Sequence, residues 1–309
     1  MSETVPAPAN PESNSGSGPY RLTPVPSEHV PRSLDLILQA AVTVPGGRAV
    51  VLGAGECAEI PLKALAIRFD EVLLVDTNEQ LLQKAIADAE LDETQRAKVQ
   101  VRVQDLTGTT RLLLDKVETA LGEATDAESA IEATSALLAH QPIVGLLPPD
   151  GKDNAVLPGK FNLVVASCVL SQLHIELLLQ AGEAFERRFP GQREQLQTDD
   201  RWRAALTGIA RRMETRFIDD LAALTAEGGL IYLSESVQMC YITLMTDGQW
   251  ETPGTYRLLR TADLTDYTDR RFARMGHGRW QWIVAQPTEI GKTGQLFDVQ
   301  SLVLRVWRT

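Results

Sequence analysis

The chain has 309 residues, 44% of them hydrophobic and 23% charged, with a formal net charge of −11. That length buries a sizeable core, and the balance is that of a globular protein. A whole-chain basic footprint for nucleic acid is excluded, the scattered Cys57, Cys168 and Cys240 suggest neither a disulfide framework nor a zinc cluster, and no apolar run is long enough to cross a bilayer. No basic segment followed by an apolar one marks a signal peptide, so a reducing cytoplasm is the expected location.

Residues 1 to about 30 are rich in Pro, Ser, Gly, Asn and Glu, a composition expected to stay disordered or to act as a lid. Ser33 to Val42 carries a short helical pattern, and Pro45-Gly46-Gly47 breaks it. Ala49 to Leu52 reads as a buried parallel strand, followed by a turn through Gly53 and Gly55. A helix is predicted from Ala58 to Phe69, with Pro61 in its first turn and its free N–H groups beside the glycines. Glu71 to Asp76 is a second strand, Asn78 to Leu91 an amphipathic helix, and Val99 to Asp105 a third strand.

Residues 109 to 140 carry two helical stripes, and 148 to 159 read as a loop. Phe161 to Ala166 is a fourth strand, and a helix is predicted from Ser171 to Phe189. A longer helix runs from about Asp199 to Ala226, capped by Gly228-Gly229, and Leu230 to Ser234 is a fifth strand. Residues 236 to 278 read as a mixed, polar, substrate-side segment. Arg279 to Ala285 and Val299 to Val306 are two strands whose link is too short for a helical crossover, so they pair antiparallel.

The expected fold class is α/β: doubly wound, with a mainly parallel seven-stranded sheet, a C-terminal antiparallel strand pair and helical insertions at about 109–158 and 190–226. In such a sheet the glycine turn, Asp76 and Asp105 share one crevice at the carboxyl ends of the strands. An acid after the second strand can accept both hydroxyls of a ribose, and one after the third can accept the amine of adenine. Together they point to a nucleoside ligand with a carboxylate or phosphate at the turn.

The chain resembles class I S-adenosylmethionine-dependent methyltransferases. The resemblance rests on Val51-Leu-Gly-Ala-Gly-Glu-Cys57, Leu74-Val-Asp-Thr77, Val103-Gln-Asp-Leu106, Phe161-Asn-Leu-Val-Val-Ala-Ser167, Gly228-Gly-Leu-Ile-Tyr-Leu233 and the closing strand pair. It spans residues 31–309 as one methyltransferase-like domain. It implies S-adenosylmethionine as cofactor, with Gly53, Ala54 and Gly55 around its methionine part. Asp76 with Thr77 would hold the ribose, Asp105 with Leu106 the adenine, and Ser167 and Cys168 would face the transferred methyl. Where a third glycine is usual, Glu56 and Cys57 stand, and Glu56 is a candidate for the cofactor ammonium.

The expected reaction is methyl transfer to O or N of a small-molecule or peptide-like acceptor, with no metal, nucleic acid or membrane partner. His174 is the general-base candidate. Glu235 is a second candidate, to orient an amine or take a proton, and Tyr241 stands with Gln238, Trp250, Tyr256 and Arg257 as acceptor-pocket wall. Cys168 has no His/Asp partner pattern for nucleophilic catalysis. Two other readings remain open. Gly53-x-Gly55-x-x-Ala58 with Asp76 also fits a dinucleotide fingerprint, and hence an NAD(P)-dependent oxidoreductase. The fold also suits a cofactor-binding module without chemistry.

Overall fold

A computed structural model describes residues 20–22, 24, 26–147, 159, 161–252, 255–257, 264 and 271–306. In chain order its elements begin with β1 (Tyr20–Leu22), α1 (His29–Thr43), β2 (Arg48–Leu52), α2 (Leu62–Arg68), β3 (Glu71–Asp76), α3 (Glu79–Asp88), α4 (Glu93–Lys98) and β4 (Val99–Val103). Then come α5 (Thr110–Glu123), α6 (Ala127–His140), β5 (Phe161–Ser167), α7 (Ile175–Arg188), α8 (Arg193–Thr198) and α9 (Asp200–Leu224). The last strands are β6 (Thr225–Leu244), β7 (Trp250–Thr252), β8 (Thr255–Arg257), β9 (Phe272–Ala285) and β10 (Thr293–Val306).

The sheet is built on the order β4-β3-β2-β5-β6-β10-β9. Strands β2 to β6 pair in parallel along it, and β10 runs antiparallel between β6 and β9. The doubly wound sheet with a closing antiparallel pair is thus present. The seven expected strands form its main order, and β1, β7 and β8 add to the far end of β6 to make ten among the described residues.

Alternation along the buried strands splits the core in two. Val50, Leu52, Val75, Val164 and Ala166 face α5, α6, α7 and α9, where Leu113, Ile131, Phe185 and Phe217 meet them. Ala49, Val51, Leu74, Leu163 and Val165 face α1, α2 and α3, against Ile37, Leu65 and Leu82. Each fully buried Val, Leu, Ile or Phe of these layers contributes about 1.5–3 kcal/mol.

Several boundaries differ from the sequence reading. The expected disordered tail is ordered at Tyr20–Leu22, which pairs antiparallel with Trp250–Thr252, and α1 starts at His29; residues 1–19 lie outside the described residues. Helix α2 begins at Leu62, not Ala58, because the chain turns again through Cys57 at φ 55 and Pro61 takes the N-cap position. Its N-terminus therefore does not abut the glycine turn. Strand β4 ends at Val103, and the capping box of Asp92 and Gln95 nucleates α4, which no predicted element covered.

Gly228 and Gly229 do not cap α9. That helix ends at Leu224, and both glycines lie in β6, where Gly228 at φ 74 sits in the irregular pairing with β5. Most of all, β6 does not stop at Ser234. It runs on to Leu244, paired with β10 as far as Thr243 through one bulge between Ser236 and Gln238. Residues 236–244, expected as part of a mixed, polar, substrate-side segment, are therefore a strand projecting past the carboxyl edge of the parallel sheet. Of the predicted loop at 148 to 159, residues 148–158 lie outside the described residues.

Candidate functional site

Strands β2 and β5 are neighbours that lead away from each other, β2 toward β3 and β5 toward β6. Their carboxyl ends open a crevice where the strand order reverses. The glycine turn hooks onto β3 there: Gly53 N–H and Ala54 N–H both donate to the Val75 carbonyl, at 2.8 and 3.1 Å. Gly53 has φ 68, and a Cβ on it would come 2.6 Å from Val169 Cγ2, so no other residue fits. Gly55, at φ 49, has open space around it.

A cavity of about 260 Å³ occupies the crevice. Gly53, Asp76, Thr77, Asp105, Leu106, Ser167 and Cys168 line it, so seven of the ten cofactor candidates meet at one place. Ala54 is buried in the core beneath, and Gly55 approaches the cavity only through Asp76, whose Oδ2 accepts from Gly55 N–H at 2.9 Å. Glu56 departs from expectation. Its carboxylate pairs with Lys84 Nζ of α3 at 2.6 Å, on an exposed face away from the cavity. The turn after Gly55 directs it there, because the chain heads into Cys57 rather than into a helix.

Asp105 lines the cavity but is heavily committed. Oδ1 accepts from Thr107 N–H at 2.8 Å, and Oδ2 accepts from Thr109 and Thr110 N–H at 3.1 and 2.9 Å. The Thr107 hydroxyl reaches both oxygens. These bonds fold the loop that leads into α5 and carry Leu106, Thr107 and Thr110 onto the cavity wall. The contact with an adenine amine expected of Asp105 thus competes with four donors of its own loop. Gln172, Leu173 and Glu176 complete the opposite wall, and no Lys, Arg or His is among the described lining.

A second cavity, of about 390 Å³, adjoins the first across Ser167, Cys168 and Gln172. Its other walls are Glu59, Ser171, His174, Ile175, Ser236, Trp282, Val284 and Phe297. The projecting hairpin of β9 and β10 supplies Trp282 and Phe297, whose rings meet at 5.8 Å and 42°.

His174 was expected within a helix. It stands instead at the N-cap of α7, behind the 3-10 turn Leu170–Gln172, because the chain tightens before α7 begins. Its ring is only 1% exposed, and neither nitrogen has a hydrogen-bond partner. Burial pushes its pKa below the usual histidine range, so the ring is neutral near pH 7.

Glu59 was not singled out by the sequence, because nothing in its spacing distinguishes it from a solvated acid. Burial raises its pKa, but the nearby His29, together with Ser167, outweighs this and holds it below the usual range. His29 Nε2 lies 4.0 Å from Glu59 Oε1. The His29 ring is itself fixed: Trp280 Nε1 donates to Nδ1 at 3.0 Å, and Trp282 stacks on it at 4.2 Å.

Glu235 and Tyr241 correct two expectations. Glu235 is fully buried, and its oxygens accept from Ser171 N–H at 2.9 Å and Ser236 N–H at 2.7 Å. It anchors the 3-10 turn rather than facing either cavity. Tyr241 lies two residues beyond Met239 on the extension of β6, paired with Gln295, and lines neither cavity. Trp250 is buried against Cys240, Ile242 and Leu296 as packing. Cys168, at φ 52, lies between the two cavities. Burial, with Glu235 nearby, pushes its thiol far above the usual range, so it is no nucleophile at neutral pH.

No protein-family model and no curated protein matches the chain. Among solved structures it is similar to the YcgJ protein of Bacillus subtilis, at 10% identity over 90% of this chain and 99% of that one, with a TM-score of 0.42. It is similar to a SAM-dependent methyltransferase from Leishmania major, at 12% identity, 89% and 71% coverage and a TM-score of 0.37. A third likeness is to a SAM-dependent methyltransferase from Geobacter sulfurreducens in complex with S-adenosyl-L-homocysteine, at 13% identity, 69% and 51% coverage and a TM-score of 0.33. No helix among the described residues is long and apolar enough to cross a membrane.

Proposed function

We propose that this chain transfers a methyl group from S-adenosylmethionine to O or N of a small-molecule or peptide-like acceptor. One observation carries the reading: the crevice cavity is lined by Asp76, Asp105 and Glu176 with no basic side chain among its described residues, and it adjoins a second cavity. A cationic sulfonium suits carboxylate walls. The pyrophosphate of a dinucleotide does not, since two negative charges would meet three carboxylates in a partly water-poor site. The late start of α2 also withdraws the helix N-terminus on which a dinucleotide phosphate would rest.

The residues present fit the cofactor. Asp76 offers its carboxylate to a ribose while bracing the glycine turn, and Gly53 leaves the close approach that a Cβ would fill. Leu106, Thr107 and Thr110 form the wall for a flat base. When bound, S-adenosylmethionine supplies an electrophilic methyl whose S–C bond breaks with the electron pair staying on sulfur. The protein's own part is to hold the acceptor in the second cavity, exclude water there and take up a proton where the acceptor has one to lose. Ser167, Cys168 and Gln172, common to both cavities, border the place where donor and acceptor meet.

Calorimetric titration with S-adenosylhomocysteine and, in parallel, with NADH tests this. Binding of S-adenosylhomocysteine without NADH is expected. Tight NADH binding with no S-adenosylhomocysteine binding would restore the oxidoreductase reading. Cofactor binding with no acceptor ever methylated would favour a non-catalytic module.

A further inference from the structure

The second cavity joins three properties that together select an acceptor. It has one carboxylate on its wall, Glu59, and no Lys or Arg among its described lining. Its far wall is apolar and aromatic, through Ile175, Trp282, Val284 and Phe297. It also holds a buried histidine ring with two unpartnered nitrogens.

We propose that this cavity binds an amine carried on an apolar body, its ammonium on the Glu59 carboxylate and its departing proton on the His174 ring. The inference rests on the methyl-transfer reading and names the acceptor class for the same site. Behind Glu59 stands His29, its Nε2 4.0 Å from Oε1, and the indole N–H of Trp280 and the face of Trp282 hold that ring in place. A carboxylate at a cavity wall attracts a cation and repels carboxylate or phosphate acceptors. Trp282 and Phe297 add aromatic surface to the wall against which the apolar body would pack. The volume of about 390 Å³ falls within the range of small-molecule pockets.

His174 supplies what an ammonium needs before it can react. A buried ring with both nitrogens unsatisfied is unusual in a folded core, and an N–H donor from a ligand would satisfy the accepting nitrogen of the neutral ring. The ammonium gives up its proton through a ring nitrogen of His174, which holds it only in passing because burial disfavours the charged ring. The freed lone pair then forms the N–C bond as the donor's S–C bond breaks onto sulfur, leaving a methylammonium that stays beside Glu59.

Calorimetric titration of 2-phenylethylamine and of 2-phenylethanol into the full chain, with and without saturating S-adenosylhomocysteine, tests the inference. The two probes differ only in the group presented to Glu59. The amine is expected to bind at least tenfold tighter in both conditions. Glu59→Gln should erase that preference while leaving S-adenosylhomocysteine affinity within twofold. Equal binding of the two probes to the unaltered protein overturns the proposal without any variant having to fold. So does a Glu59→Gln protein that loses affinity for S-adenosylmethionine but keeps its preference for the amine, because the carboxylate would then serve the sulfonium. Failure of S-adenosylhomocysteine to bind at all sinks the methyl-transfer reading separately, and the amine preference of the cofactor-free protein still decides the role of Glu59.

Discussion

The Gly55 N–H donates to Oδ2 of Asp76 at 2.9 Å, while Oδ1 of the same carboxylate accepts from Asn78 N–H at 3.0 Å. One acid thus closes the glycine turn, starts the chain toward α3 and lines the crevice cavity. A hydrogen bond to a charged group is worth about 1.5–3 kcal/mol. Asp76→Asn keeps an acceptor for Gly55 and loses the charge, so S-adenosylhomocysteine should bind about tenfold more weakly, at the low end of that range. Asp76→Ala loses both and should bind more weakly still, by roughly a hundredfold or more. Calorimetry on both variants checks this, and an unchanged affinity in Asp76→Ala would remove the carboxylate from the ligand site.

The two turn glycines should respond differently to a methyl group. At Gly53 the added Cβ meets Val169 at 2.6 Å and the backbone has φ 68, so strain and overlap act together. At Gly55 only the backbone, φ 49, resists. Left-handed backbone costs a non-glycine residue of order 1 kcal/mol, and overpacking adds about 1–3 kcal/mol. Gly53→Ala should therefore lower thermal stability more than Gly55→Ala and should also block the cavity that Gly53 lines. Melting curves with and without S-adenosylhomocysteine would show it, and equal shifts for the two variants would contradict the contact with Val169.

The three cysteines should be inert in the native state. Burial pushes the thiols of Cys57 and Cys240 up to about 12 and about 11, and that of Cys168 higher still. The thiolate is the reactive form, so an aromatic disulfide reagent at pH 8 should label them far more slowly than in urea. Rapid stoichiometric labelling of the native protein would mean that the cavity wall at Cys168 opens to solvent.

The parallel strands were legible as short apolar runs, or in Val99 to Val103 as alternation, and Asp76 and Asp105 were legible as the acids at or just past their ends. The long β6 was not. Beyond Ser234 its partners are β10, β7 and β8, and the pattern Ser236 to Leu244 mixes polar and apolar residues because the strand leaves the buried sheet. Tertiary pairing, not local preference, decides that segment. In the same extension Phe297 pairs with Met239 and Trp282 with Phe297, and these two, rather than Tyr241 and Trp250, wall the second cavity. His29 and Glu59 were hidden for a different reason. They are 30 residues apart, one in a segment whose composition reads as a tail, and the packing of α1 against both α2 and β9 sets His29 between Glu59 and Trp280.

The fourth prediction concerns Asp220, which lies outside the cavities but supports one of them. It is 2% exposed, its Oδ2 accepts from Leu146 N–H at 2.6 Å, and Arg216 lies 3.1 Å from Oδ1. The same strip reaches the loop of Asp105, since Gly145 N–H donates to the Thr107 carbonyl at 2.7 Å. Burial raises the Asp220 carboxyl from 3.8 to about 6, although the Leu146 N–H and Arg216 pull it down. A folded-state pKa above the unfolded one means that the folded chain takes up a proton which the unfolded chain does not hold between those values. This group's contribution to stability is therefore greatest below about pH 4 and is lost as pH rises through 6, by roughly 3 kcal/mol in all. Asp220→Asn keeps an acceptor for Leu146 and carries no charge to bury, and it leaves Arg216 partly solvated. The variant should match the parent near pH 4 and exceed it in stability at pH 7, with the gap opening between pH 4 and 6. Urea unfolding of both proteins across that window measures the gap directly. A difference that stays constant with pH would show that Asp220 ionises in the fold as easily as in water, with Arg216 and Leu146 fully offsetting its burial.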